Sequence, residues 1–166
     1  MSNGAPGMFP DMTWLPARDC DPRAYALFAR HYTYRDYADG RRRDPSNPTR
    51  FSFVGPGEKM VLLTADCRAL FVWRKFIDDS GQRGVNCAVF RNEGDELSSH
   101  LILEAEQMAW GRWPGERLYT YVNPRRVASC NPGYCFKRAG WRACGTTQSG
   151  LLILEKLPQT TEATYD

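Results

Sequence analysis

The side chains of this chain that could move a proton or grip an anion fall in three stretches. Residues 31–43, HYTYRDYADGRRR, carry His31, Tyr32, Tyr34, Arg35, Arg41, Arg42 and Arg43. Residues 91–99, RNEGDELSS, carry Arg91, Asn92, Glu93, Gly94, Ser98 and Ser99. Residues 119–138 carry Tyr121, Asn123, Arg125, Arg126, Tyr134 and Lys137. An imidazole with a reference pKa of about 6.5 suits a general base, and Glu93 is the second candidate for that role. Tyr121, Tyr134 and Tyr119 could donate a proton, and Asn123 stands among them. Each has a plainer alternative: a lone histidine is more often structural, a carboxylate at a helix start is favoured by the dipole, and tyrosines pack.

The charges are separated along the chain. Arg125, Arg126, Lys137, Arg138 and Arg142 follow one another with no carboxylate between Pro124 and Arg142, while Glu93, Asp95, Glu96, Glu104 and Glu106 follow one another with no Lys or Arg. Such a pattern suggests one face meant for an anion, although the net charge is only +3. The loop of arginines and tyrosines at 31–50 suits DNA: guanidinium groups for phosphate, rings for stacking an extruded base.

With 166 residues, 42% of them apolar, the chain can build one ordinary core. The expected organisation is a mobile tail at 1–10, one domain at 11–157 and a second mobile tail at 158–166. No apolar run reaches the roughly 18 residues of a membrane span, and the start lacks a secretory signal, so a soluble cytoplasmic protein is expected. Six cysteines without a CxxC pair, accompanied by two histidines, predict reduced thiols and no structural zinc. His31 with nearby carboxylates leaves a different metal, or a second cofactor, open.

The elements that must position these groups follow from periodicity. Asp21-Pro22 opens a helix over 22–32. Strands are expected at 12–17, 59–64, 69–76 and 85–91, the last three as an antiparallel meander. Leu101, Ile102, Ala105, Met108 and Ala109 mark an amphipathic helix started by Ser98 or Ser99. A strand at 117–122 follows, then a helix capped by Asn131 with Pro132 first and Gly140 at its end, then a hairpin of 141–145 and 151–157. The crossover helix makes the strand at 117–122 a parallel neighbour of the one at 85–91, giving a mixed α+β sheet of about seven strands.

That order, closing on CFKRAGWRACGTTQSGLLILEKL with its Gly140-Trp141 pair, resembles the GNAT acyltransferase fold over nearly all of residues 11–157. The resemblance implies acetyl-CoA or a related acyl-CoA as donor, its diphosphate held at Arg91, Asn92, Gly94, Ser98 and Ser99 where the helix after the fourth strand begins. Two departures stand out. The second small residue of the family's phosphate loop is Glu96 here, in a segment about two residues too long, and the proton-donor tyrosine's position is Phe136. More narrowly, RNEGDELSSHLILEA, TYVNPRR and NPGYCFKRAGW resemble the phage and prophage Mom-type proteins. This implies an enzyme, acting as a monomer or homodimer in the host cytoplasm, that adds a small amide-bearing group to the exocyclic amine of adenine in duplex DNA and so protects it from restriction. The alternatives are a GNAT acetyltransferase for a small amine or a protein lysine, and a non-catalytic DNA-binding protein on the same fold.

Overall fold

The computed structural model describes residues 12–34, 51–77, 79, 81–127 and 130–159. Arg35, Arg41, Arg42, Arg43 and most of both predicted tails lie outside the described residues. Seven strands and three helices alternate in chain order as β1 (Trp14–Ala17), α1 (Pro22–Ala29), β2 (Glu58–Thr64), β3 (Ala69–Lys75), β4 (Val85–Asn92), α2 (Ser98–Arg112), β5 (Leu118–Val122), α3 (Tyr134–Arg138), β6 (Arg142–Thr146) and β7 (Leu152–Lys156). The strands form one mixed sheet in the order β1-β2-β3-β4-β5-β7-β6. The predicted order of elements is the observed one, and the final hairpin places β7 inside and β6 at the edge.

Strands buried on both faces read as unbroken apolar runs, and β2 and β3 do so because helices cover both sides. On one face Val61, Leu63, Leu70 and Val72 pack on Ala24, Leu27 and Phe28 of α1. On the other, Leu62, Phe71 and Trp73 join Leu101, Ile102 and Ala105 of α2 with Phe136 and Trp141 around α3. Each of these large side chains contributes roughly 1.5–3 kcal/mol by leaving water.

A one-residue bulge in β4 changes this pattern. Val72 faces Val89 and Trp73 faces Cys87, so Ala88 is the extra residue. Val85 and Cys87 therefore point to the α2 side while Val89, two residues further on, joins the α1 side. The bulge also bends the strand, because the inserted residue breaks the ladder and raises the twist. The parallel pairing of β4 with β5 stops at that point, with only Val85–Leu118, Asn86–Tyr119 and Cys87–Thr120 in register. Thr120 Oγ1 closes the last rung by donating to the Cys87 carbonyl at 3.0 Å.

Two helix starts differ from expectation. α1 is capped as predicted, the Asp21 side chain accepting from the Arg23 N–H at 2.9 Å. α2 has Leu97 at its cap and no side-chain cap bond. Ser98 lies one position inside, where its Oγ instead accepts from Asn92 Nδ2 at 3.0 Å. α3 is shorter than predicted, five residues preceded by Gly133 at φ 76°, so Asn131-Pro132 forms a turn ahead of the helix and not its first turn. The Asn131 carboxamide accepts from Lys137 Nζ at 2.7 Å, which removes it from the cap.

Candidate functional site

Beyond the Cys87–Thr120 rung the two parallel strands part, and a cleft of about 550 Å³ opens between them. Its walls come from Asn86–Asn92 of β4, Thr120–Val122 of β5, the turn after α1 (His31, Tyr32, Thr33), Arg126 and Val127 beyond β5, and Gly133, Cys135 and Phe136 around α3. Among the described residues two arginines and four aromatic rings line it, and no carboxylate does. A smaller cavity of about 160 Å³, lined by Tyr32, Thr33, Tyr121, Asn123, Arg126 and Leu151, adjoins it.

His31, Tyr32, Tyr121, Arg91, Asn92 and Arg126 are thus gathered at one place. The His31 ring is fixed on both sides: Nδ1 accepts from the Thr33 N–H at 3.2 Å and lies 2.7 Å from the Thr33 hydroxyl, while the ring also bonds to the Phe90 backbone. Burial, together with the charge of Arg91, pushes its pKa down to about 4. The imidazole is therefore neutral at pH 7, with both of its polar edges engaged. Its ring lies 4.4 Å from that of Tyr32. Burial pushes the Tyr32 phenol up, the Asn123 backbone N–H bonds to that phenol, and the Tyr32 carbonyl accepts from Arg126 Nη1 at 2.9 Å. The turn after α1 and the turn after β5 are in this way stitched together across one end of the cleft.

Glu93 is held by two guanidinium groups. Arg30 reaches it with Nε and Nη2 at 2.8 and 2.9 Å, and Arg91 Nε also donates to it. The Arg30 and Arg91 partners bring its carboxyl down to about 2. A carboxylate so held is a weak base, and Glu93 does not line the cleft. Cys87 and Cys135 do line it, and burial pushes both thiols up, so neither is a thiolate at neutral pH.

The remaining described candidates lie outside the main cleft, Asn123 in the wall of the adjoining cavity. Ser98 and Ser99, at the start of α2, line neither the cleft nor its neighbour. Gly94 lines a separate hollow of about 260 Å³ with Asp66, Asp95 and Glu96. The phosphate-loop amides have partners within the protein: Glu93 N–H donates to the Arg68 carbonyl at 2.7 Å and Gly94 N–H to Asn92 Oδ1 at 2.9 Å. Tyr134 is 55% exposed at the outer side of α3. Tyr34 packs edge-on against Tyr25 and Phe28. Asn123 accepts from the Arg125 N–H at 3.1 Å and braces a turn. Lys137 is engaged with Asn131. Phe136, at the resemblance's proton-donor position, is buried against Phe90 and Trp141.

Three carboxylates of the acidic stretch that sequence left unbalanced meet cations in space. Glu93 meets Arg30 and Arg91, Asp95 meets Arg68, Glu104 takes the Thr13 hydroxyl, and buried Glu106 meets Lys156 Nζ at 2.7 Å and Trp141 Nε1 at 2.6 Å. Among the described residues no carboxylate pairs with Arg125, Arg126, Lys137 or Arg138. Sequence reading passed over Asn86, Arg30 and Cys135. Only the β4 position of Asn86, one step before the strands part, could have signalled it. No group of His, Cys, Asp and Glu among the described residues could hold a metal, and no described helix is long and apolar enough to cross a membrane. Comparison with protein-family models, with characterised proteins and with solved structures finds no match for this chain.

Proposed function

We propose that the chain is a DNA-modifying transferase of the Mom type on a GNAT-like fold, adding a small acyl-derived group to the exocyclic amine of adenine. The observation that carries this reading is the lining of the cleft: Arg91 and Arg126 with Tyr32, Phe90, Tyr121 and Phe136, and no acid among the described residues. Guanidinium groups grip phosphate and rings receive an unstacked base. A volume of about 550 Å³ lies in the roughly 300–1,000 Å³ range of small-molecule sites, which accommodates one extruded nucleotide beside the end of a donor.

An acyl-CoA would supply the thioester. The fit to such a donor is partial, because the amides of Glu93 and Gly94 are engaged by Arg68 and Asn92. Arg91, which lines the cleft, would meet its phosphates there with the N–H groups left over from Glu93 and the Arg30 carbonyl. In the reaction the exocyclic nitrogen would bond to the carbonyl carbon as the C–S bond breaks, and the group that gives a proton to the departing thiolate would regain the one that the nitrogen sheds. We assign that role to the Tyr121 phenol, since Tyr134 is outside the cleft and the Phe136 side chain has no proton to give. His31, neutral and held on both sides, keeps the wall in shape and excludes water.

The rival reading, acetylation of a small cationic amine, would need a counter-charge in the pocket, and the described lining residues offer none. The test is mass spectrometry of nucleosides from plasmid DNA of cells expressing the protein. A modified adenosine is expected, lost in Arg126→Ala and reduced at least tenfold in Tyr121→Phe. Unmodified DNA from folded wild-type protein would sink the proposal.

A further inference from the structure

One buried polar atom has no visible reason to be where it is. Asn86 Oδ1 is, among the described residues, the one buried side-chain nitrogen or oxygen with no hydrogen-bond partner. Leaving such a group unpaired costs about 1–3 kcal/mol, so an unpaired one in a wall calls for an occupant. Asn86 lies in β4 opposite Tyr119, at the second of the three rungs that join β4 to β5, and it lines the cleft. Its neighbours in that wall do not need it: Thr120 Oγ1 already donates to the Cys87 carbonyl.

The geometry points to Asn86 as the residue that reads the base, its carboxamide pairing with an adjacent donor and acceptor on an amino-bearing purine. The chemistry selects this class. A carboxamide offers one acceptor and one donor side by side, and the bidentate partner it matches is adenine, which presents an exocyclic N–H beside a ring nitrogen. The terminal torsion of asparagine is broad and two-fold, so a small turn brings the sealed oxygen to the cleft surface. Tyr121, two residues beyond Asn86's partner Tyr119 on β5, shares its face of the sheet and supplies a ring beside the recognised edge. This assignment rests on the DNA-modifying reading above and specifies which side chain selects the base.

The test uses the full chain and labelled duplexes that differ in a single central unpaired base, adenine or unsubstituted purine. Purine lacks the exocyclic amine and keeps only the ring-nitrogen acceptor, so one of the two carboxamide bonds cannot form whichever way the side chain is turned. Wild type is expected to favour adenine at least tenfold, and Asn86→Ala to bring that ratio to about one. A wild type that discriminates while Asn86→Ala discriminates equally overturns the assignment and leaves the DNA reading intact. A wild type that binds DNA with no preference also overturns it. No DNA binding by the wild type overturns both. Thermal melting of Asn86→Leu supplies the control: the near-isosteric apolar side chain removes an unpaired atom, so the melting temperature should hold or rise, and a marked fall would make Asn86 a structural group instead.

Discussion

Asn92 stands between two hollows of opposite character. On the open side of β4 is the cleft of about 550 Å³ with Arg91 and Arg126 in its lining. On the other side, against the start of α2, is the hollow of about 260 Å³ lined by Asp66, Asp95 and Glu96, with no Lys or Arg lining it among the described residues. The second is where a helix start would ordinarily be sought as an anion site. Here the loop before α2 folds onto itself: Asn92 Nδ2 donates to the Glu96 carbonyl at 2.7 Å and to Ser98 Oγ, while its Oδ1 takes the Gly94 N–H. A helix dipole contributes only a fraction of a kcal/mol at an exposed end, too little to offset three nearby carboxylates and two engaged amides. The lesson of the pair is that an anion site needs positive charge with donors to spare: Arg91 shares its charge with Glu93, whereas Arg126 spends one N–H on the Tyr32 carbonyl and meets no carboxylate among the described residues.

The largest expected effect lies in the cleft wall. Gly133 adopts φ +76°, and a Cβ there would fall 2.4 Å from Leu154 Cδ1. An alanine pays about 1–2 kcal/mol for the left-handed backbone, and displacing Leu154 adds a similar amount. Gly133→Ala should therefore lose about 3 kcal/mol in urea unfolding, and α3 should lose its place beside β5. An unchanged midpoint would mean that the wall yields easily and is not a preformed surface.

Next in size is Asn92→Ala. It removes three hydrogen bonds at the ridge between the hollows and leaves the Gly94 N–H and the Ser98 hydroxyl to find water. A loss of about 2 kcal/mol is expected. The same variant should raise amide exchange at residues 93–98 while leaving exchange in β5 as it was, which tests whether the two hollows are independently held.

These two positions also mark what could be read from sequence and what could not. The strand and helix order was legible because β2, β3 and α2 carry unambiguous periodicities and because Asp21-Pro22 and Gly140 punctuate as their chemistry dictates. The parallel partnership of β4 and β5 followed from the crossover helix. What stayed illegible was pairing at long range. Nothing local to residues 93–106 announces that Arg30, Arg68 and Lys156 come to meet Glu93, Asp95 and Glu106. Nor does any local pattern mark Ala88 as a bulge, although the bulge decides that Val89 and Cys87 face opposite sides and that the strands part. Of the candidate site residues that the sequence suggests, His31 and Tyr32 after α1, Arg91 and Asn92 at the end of β4, and Tyr121 and Arg126 at and beyond the end of β5 converge on the cleft. Gly94, Ser98 and Ser99, drawn from the same phosphate-loop resemblance as Arg91 and Asn92, do not, and neither does Tyr134.

A smaller effect separates the two sides by pH. Burial beside Arg91 lowers the His31 pKa from 6.5 to about 4. A histidine whose folded pKa is lowered binds protons less tightly than in the unfolded chain, so its contribution is complete above pH 6.5 and is lost as pH falls from 6.5 to about 4. The loss is on the order of 1 kcal/mol once solvent screening is allowed for. Proton NMR of the His31 ring should show no titration near pH 6.5, and His31→Gln should flatten the stability profile across that interval. A ring titrating at its ordinary value would restore His31 as a general base and move the chemistry toward α1.

The smallest expected effect is the sharpest test of which hollow takes phosphate. A Cβ on Gly94 would meet Arg68 Cβ at 3.4 Å, an ordinary contact, and its backbone is not in the left-handed region. Gly94→Ala also reduces the freedom of the unfolded chain, which offsets whatever small strain remains, so stability should change by less than about 0.5 kcal/mol. Function should follow the same logic. If phosphates bind in the cleft, a methyl group facing the acidic hollow leaves the affinity for CoA and for duplex DNA within about twofold of wild type, while Arg91→Ala weakens at least one of them tenfold or more. If the diphosphate instead lies against the start of α2, the methyl group obstructs it and CoA affinity falls by that larger factor in Gly94→Ala. Calorimetric titration of the two variants side by side assigns the anion to one hollow, because no single site gives both results.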